Sequence, residues 1–249
     1  MNRFEQPKER CRWRRFSHKA YAAFRSLHRE VSIGVLGVAM LGSCTFVRPP
    51  GQIQEPLQRG DLLFCIEGEE SPAEGLGNAI AAVTNGAGNQ SITHVAIVVD
   101  TTTVVEASPR HGVRVIHLAQ FLADADHDPG GTPLVLAGRL RDTTGLSLSV
   151  ERALQYVGRP YDFLYLPSDS AIYCSELVQL SYQRPDGSPV FAQEPMSFSD
   201  STGHIAPYWL QHYAERGLAV PEGELGTNPG AMSRHDAVQM LENVPWLLE

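Results

Sequence analysis

Three side chains of this 249-residue chain have the chemistry and the placing for attack by sulfur on a carbonyl: Cys174, His94 and Glu106. Cys174 lies in Ile172-Tyr173-Cys174-Ser175-Glu176-Leu177-Val178-Gln179-Leu180-Ser181-Tyr182. Apolar residues recur there at helical spacing, at Cys174, Leu177, Val178 and Ser181/Tyr182, which predicts three helical turns with the cysteine in the first. At that place the unpaired first-turn amides and the positive end of the helix dipole favour thiolate over thiol. His94 opens the apolar run Thr93-His94-Val95-Ala96-Ile97-Val98-Val99, a strand from which it can project towards a packed helix. Glu106 lies in the next run, Val104-Val105-Glu106-Ala107, which pairs with the first if the chain makes a hairpin through Asp100. A carboxylate buried there without a partner would cost several kcal/mol, and an imidazolium at His94 is the obvious partner. Thiol hydrolysis needs these three parts: a thiolate, an imidazole that takes and returns a proton, and a polar group that orients the imidazole. Singly, each has a plainer reading, as an inert core cysteine, a structural strand histidine or a paired carboxylate. The set is more informative than its members.

The elements around these residues follow from the same periodicities. Gly60-Asp61-Leu62-Leu63-Phe64-Cys65-Ile66 reads as a turn and a buried strand, with Cys65 a core residue. Residues 76–90 form a short helix or lid-like loop ending at Asn85-Gly86. Gly112 to Leu118 alternates as a third strand, and Ala119 to Ala125 reads as a short helix. A loop at Pro129-Gly130-Gly131-Thr132 precedes a strand at Leu134 to Leu140, and residues 146–157 carry helical spacing. Gly158-Arg159-Pro160-Tyr161-Asp162 is a turn into the cysteine segment. Helices are expected at Ile205 to Arg216 and, capped by Ser233, through Leu241. Strands dominate the middle and helices the C-terminal half, so the class is α+β: a small antiparallel sheet with helices packed on one side. Asp61 and Asp162 sit at Gly/Pro-rich corners and read as turn formers. His111, His117, His127, His204, His212 and His235 show no ligand spacing and read as surface or capping residues.

With 43% hydrophobic residues the chain supports one sizeable core. Its net charge of −8 is unevenly placed. Residues 1–43 hold nine Lys or Arg against three Glu, and the remainder eleven against twenty-five Asp or Glu. An acidic body without a basic patch argues against nucleic acid. The four cysteines, Cys11, Cys44, Cys65 and Cys174, have no paired spacing and no histidine cluster beside them. No disulfide framework, metal or other cofactor is expected.

The chain divides into a basic leader with a signal at 1–44, a Pro/Gly linker at 45–56 and a folded hydrolase domain at 57–249. The apolar run Val31 to Leu41 is too short for a stable membrane span but suits the central region of a secretory signal. It stops at Leu41-Gly42-Ser43-Cys44, which resembles a bacterial lipobox. That resemblance implies lipidation of Cys44 as the mature N-terminus. A periplasm-facing lipoprotein of the cell envelope follows, and Thr45 after the cysteine points to the outer membrane. The alternative is an uncleaved basic anchor.

Tyr156-Val157-Gly158-Arg159-Pro160-Tyr161, twelve further residues, and then Cys174-Ser175-Glu176-Leu177-Val178-Gln179 resemble the nucleophile block of NlpC-type papain-like hydrolases. Gly60-Asp61-Leu62-Leu63-Phe64 and His94-Val95-Ala96-Ile97-Val98 resemble strand motifs that follow that block in most members. Here they precede it, which is the circularly permuted arrangement. The match, including Gly226-Thr227-Asn228-Pro229-Gly230, is to the YiiX/YaeF-like branch, related to lecithin retinol acyltransferase-like proteins. It implies a permuted papain-like fold with Cys174 as nucleophile, His94 as general base and acid, and Glu106 as orienting residue. Tyr173 stands where unpermuted relatives usually carry Asp, so their recognition of a free amine by that residue does not transfer. An oxyanion needs two donors. The Cys174 backbone N–H is one, and the Tyr161 hydroxyl is the other unless Tyr161 is only a core aromatic.

The leading function is therefore a thiol hydrolase that cleaves an amide through a thioester acyl-enzyme. With a lipid anchor in the membrane, its reachable partners are peptidoglycan stem peptides or N-acylated lipids and lipopeptides. A lipid acyltransferase or thioesterase would use the same residues. A non-enzymatic envelope lipoprotein would not need all three.

Overall fold

The structure, a computed structural model, describes residues 56–69, 75–167, 170–242 and 244. Cys44, the leader and nearly all of the linker lie outside the described residues.

Its centre is a six-stranded antiparallel sheet. Strands β1 (Leu62–Ile66), β2 (Ile92–Val98), β3 (Thr103–Ser108) and β4 (Gly112–His117) run as a meander. Before β2 comes the helix α1 (Leu76–Ala81), and after β4 comes α2 (Leu118–Asp124). Strand β5 (Val135–Leu140) then joins the free side of β1. The helices α3 (Leu146–Gln155) and α4 (Cys174–Ser181) follow. The last part contains β6 (Glu194–Pro195), α5 (Pro207–Ala214), β7 (Leu225–Gly226), α6 (Pro229–Ser233) and β8 (Val238–Leu241). The sheet order is β4-β3-β2-β1-β5-β8, and β6 pairs with β7 apart from it.

The inner strands read as nearly continuous apolar runs because both faces of the sheet are covered. On one face Leu62, Phe64, Val95, Ile97 and Val105 form a core with Leu177 and Val178 of α4, Val150 and Ala153 of α3, and Trp209 and Tyr213 of α5. On the other, Leu63, Ala96, Val98, Val104 and Ala137 pack with Phe121 and Leu122 of α2. The expectation of helices on one side only is corrected by α2. Each buried Leu or Val side chain here contributes roughly 1.5–3 kcal/mol relative to exposure.

The C-terminal segment differs from the helix expected through Leu241. The helix comes earlier, where Asn228 Oδ1 accepts the Ala231 N–H at 3.0 Å and Pro229 occupies the first turn. Val238–Leu241 is instead an edge strand paired with β5, with Val238 and Leu241 buried. Four residues do not distinguish a helical repeat from an alternating one, and a free edge on β5 decides between them.

Asp61 is more than a turn former. It is fully buried, and its carboxylate takes Arg139 Nε and Nη2, each at 2.8 Å, from the neighbouring strand, plus the Gln58 N–H at 2.7 Å. Such a two-pronged pair fixes geometry as well as charge. Arg139 also donates to Pro56 O at 2.9 Å, tying the start of the domain to the sheet.

Candidate active site

The cysteine helix begins two residues later than Ile172 and runs eight residues, with Tyr173 as its N-cap and Cys174 its first member. Glu176, three residues into the helix, reaches back to accept the Tyr173 N–H at 3.3 Å. Leu177 and Val178 seat the helix on the sheet, against β2 and β3. The approach to the helix is held equally firmly. Gly158 N–H and Arg159 O pair with Val113 of β4, both at 2.9 Å. Gly112, at φ +67, admits that approach, since a Cβ there would collide with the Arg159 carbonyl oxygen. Asp162 is buried and accepts the N–H groups of Leu164 and Leu166 at 2.7 and 3.0 Å, shaping the loop that carries Tyr165.

His94 owes its place to an irregular strand. The β1–β2 ladder pairs Cys65 with His94 but Ile66 with Ile92, so Thr93 is an extra residue on β2. Ile92, Val95 and Ile97 consequently all reach the core under α4, although 92 and 95 differ by an odd number. A bulge of this kind re-aims the side chains beside it. His94 shares the side of β2 that carries Ala96, the residue opposite Glu106 on β3. Its Nε2 lies 2.8 Å from Glu106 Oε2, and Cys174 is near enough to the ring to act on it electrostatically. Phe121 closes over the ring at a centroid distance of 6.2 Å.

Glu106 is 4% exposed, and both its oxygens are engaged. Oε1 accepts Arg114 Nε at 2.8 Å and lies 2.7 Å from Arg114 Nη2. Arg114 stands directly opposite Glu106 in the β3–β4 ladder.

Beside Cys174 opens a groove of about 320 Å³. Its walls mix apolar side chains, Tyr165, Phe191, Met196, Phe198, Trp209 and Met232 among them, with polar ones. Thr93, Thr227 and Asn228 add polar groups, and the exposed Glu194 and Arg234 stand among the lining residues.

Residues 56–242 match the model of the family described as permuted papain-like amidase enzymes, YaeF/YiiX, C92 family. The chain belongs to this family. Among solved structures, the one described as metalloprotein yiiX from Escherichia coli O157:H7 is similar in fold, with TM-score 0.59 and 23% identity over 76% of this chain and 98% of that one. No curated protein matches the chain. Among the described residues of this permuted amidase, no three His, Cys, Asp or Glu side chains group to hold a metal ion.

The charges of the candidate site reinforce one another. Burial, the largest single influence on His94, disfavours its charged form. The hydrogen bonds and charges of Cys174 and Glu106 together outweigh it and push the ring up to about 10. Burial likewise opposes ionised Glu106, yet His94 and then Arg114 hold the carboxyl below its ordinary range. Cys65 is pushed up by burial and by the charges of Glu106, Cys174 and Asp126. Burial, with Tyr165 and Cys174 as neighbours, keeps the Tyr161 phenol protonated and so a donor.

Tyr161 stands in the groove wall, edge-on to Phe163 at 5.0 Å, with Cys174 close enough to act on it electrostatically. Tyr173 also lines the groove, but its hydroxyl is occupied: the Thr227 N–H reaches it at 2.9 Å and Thr227 Oγ1 at 3.2 Å. It ties the cysteine helix to the segment before α6. His212 is not a surface residue; it is buried with Nε2 2.6 Å from Phe163 O. Sequence reading missed Arg114, although an arginine between two valines on the strand beside Glu106 was the available signal. It also missed the Thr93 bulge and the groove. Tyr165 itself carries φ +55, a left-handed conformation uncommon for a non-glycine residue.

Proposed function

We propose that the protein is a thiol amidase acting on N-acylated lipids or lipopeptides through a thioester on Cys174. The observation that carries this reading is His94 bonded to Glu106 at 2.8 Å with Cys174, first in its helix, near enough to act on the ring. Cys174 Sγ attacks the amide carbonyl carbon, and the developing oxyanion meets the Cys174 N–H, a first-turn amide that a helix leaves unpaired, and the Tyr161 hydroxyl. His94 delivers its proton to the amide nitrogen as the C–N bond breaks, and the amine leaves. Water, giving its proton to His94, then attacks the thioester carbonyl; the C–S bond breaks and the acid is released. Glu106 keeps the ring oriented and supports its charged form throughout.

The aromatic and methionine side chains of the groove, Tyr165, Phe191, Met196, Phe198, Trp209 and Met232, give an acyl chain an apolar surface to lie on, which supports this substrate class. A lipid anchor at Cys44 would hold this site at a membrane surface facing the periplasm, where such amides lie. The test incubates the purified protein and Cys174→Ala with an N-lauroyl amino acid and with peptidoglycan fragments, reading products by mass spectrometry. Release of laurate by the wild type alone supports the reading; cleavage of the peptidoglycan fragments alone replaces the substrate class.

A further inference from the structure

We infer that Arg114 is a positioning residue of this catalytic centre, acting through Glu106 to hold the carboxylate against His94. The inference rests on the amidase reading and adds a fourth member to the Cys174, His94 and Glu106 set. Three observations carry it. Arg114 is opposite Glu106 in register, so its side chain leaves β4 on the same face without distortion. Its Nε and Nη2 both address Oε1 while Oε2 is left to His94, so the carboxylate cannot rotate without losing one partner. The strand that presents Arg114 also holds the Gly158-Arg159 turn through Val113, so one element fixes the Glu106 side and the approach to Cys174.

An unpaired carboxylate at 4% exposure would tend to take a proton and so cease to support an imidazolium. Two cationic partners prevent that. The other charged or titratable groups acting on the cluster are Cys65 of β1, Cys174 of α4, Asp124 at the end of α2 with Asp126 just after it, and His111 and Arg110 in the β3–β4 turn. Of these, Asp124 lies 3.8 Å from Arg114 Nη2 and is half exposed, so Glu106 is the buried partner of the guanidinium. Arg114 is absent from the groove lining, and its effect on substrate is therefore indirect.

The test uses Arg114→Met, Arg114→Lys, Glu106→Gln and the Arg114→Met/Glu106→Gln double variant, with two readouts that need no substrate. One is the carbon NMR titration of the Glu106 carboxyl. The other is the rate of Cys174 alkylation by iodoacetamide near pH ~6, where free thiols react slowly. In Arg114→Met, Glu106 takes its proton at a higher pH than in the wild type. Alkylation slows about tenfold or more, the worth of a lost charge-assisted hydrogen bond. Arg114→Lys restores the titration in part and the rate in part, because an ammonium keeps the charge without the two parallel N–H groups. The double variant is no slower than Glu106→Gln, since Arg114 acts only through that carboxylate. Arg114→Met at wild-type rate with an unmoved carboxyl titration, or losses that multiply in the double variant, overturn the inference. If Arg114→Met does not fold, Arg114→Gln, which also removes the charge, carries the test, and full wild-type rate in it has the same consequence. A wild type whose Cys174 alkylates no faster than Cys65 instead removes the amidase reading itself.

Discussion

Cys65 stands directly opposite His94 in the β1–β2 ladder, so one imidazole has a thiol across the sheet and a second, Cys174, at a helix N-terminus. The two thiols differ in what surrounds them. Cys65 is half-buried on a strand, and desolvation with the charges of Glu106, Cys174 and Asp126 opposes its thiolate. Cys174, itself buried, lies in the groove wall at the start of its helix. Iodoacetamide is therefore expected to modify Cys174, the thiol that lines the groove, ahead of Cys65 in the native protein. Peptide mapping of the alkylated protein checks this, and comparable labelling of both thiols in the native protein contradicts it.

Stability should depend on pH through the same ring. His94 is raised from 6.5 to about 10 in the folded protein, so its contribution is complete below 6.5 and is lost as pH rises through about 10. Glu106 has the opposite sign. Its carboxyl is depressed on folding, so its contribution is present above the ordinary value of 4.5 and is lost as pH falls through the depressed value. Thermal melts should show Tm falling across the alkaline window in the wild type, with a flatter dependence there in His94→Ala. Parallel curves in the two proteins would contradict the assignment.

Asp61 and Arg139 predict a stability effect separate from catalysis. Arg139→Leu leaves a fully buried carboxylate without its cation and should cost about 3–5 kcal/mol. Urea unfolding measures that loss. The folded fraction should retain Cys174 reactivity, because no bond of this pair involves the site.

The groove predicts a dependence on acyl-chain length. Phe198 is 4% exposed and packs edge-on against Trp209 at 5.1 Å in the groove wall. Phe198→Leu keeps an apolar residue and limits the cavity left behind. It should raise KM for an N-lauroyl substrate while leaving an N-acetyl substrate unaffected. An equal change for both chains would detach the groove from substrate selection.

The sequence held the parts whose signals are local. The Thr93–Val99 and Thr103–Ala107 runs specified a hairpin, because two apolar runs and the Asp100 turn between them lie within fifteen residues. The α+β class and the permuted family were legible from Gly60-Asp61, His94 and the Cys174 helix taken together. Arg114 was not, since its meaning depends on strand register, and an arginine in an alternating strand has an ordinary exposed reading. The bulge at Thr93 left no composition signal and emerges only from the pairing with Ile66. The groove draws on Tyr165, Phe191, Phe198, Trp209 and Met232, residues brought together by tertiary packing rather than by any period. Leu241 shows the same limit at short range, since the partner strand β5 decided its conformation.

The most direct test of the account is the covalent intermediate. Brief incubation with an activated lauroyl ester, acid quenching and intact-mass measurement should show the protein carrying one lauroyl group. Peptide mapping should place it on Cys174 as a thioester that hydroxylamine removes. Cys174→Ala should show no adduct and His94→Ala a much slower one. An adduct on another residue, or undiminished laurate release by Cys174→Ala, would contradict a thioester mechanism at this site.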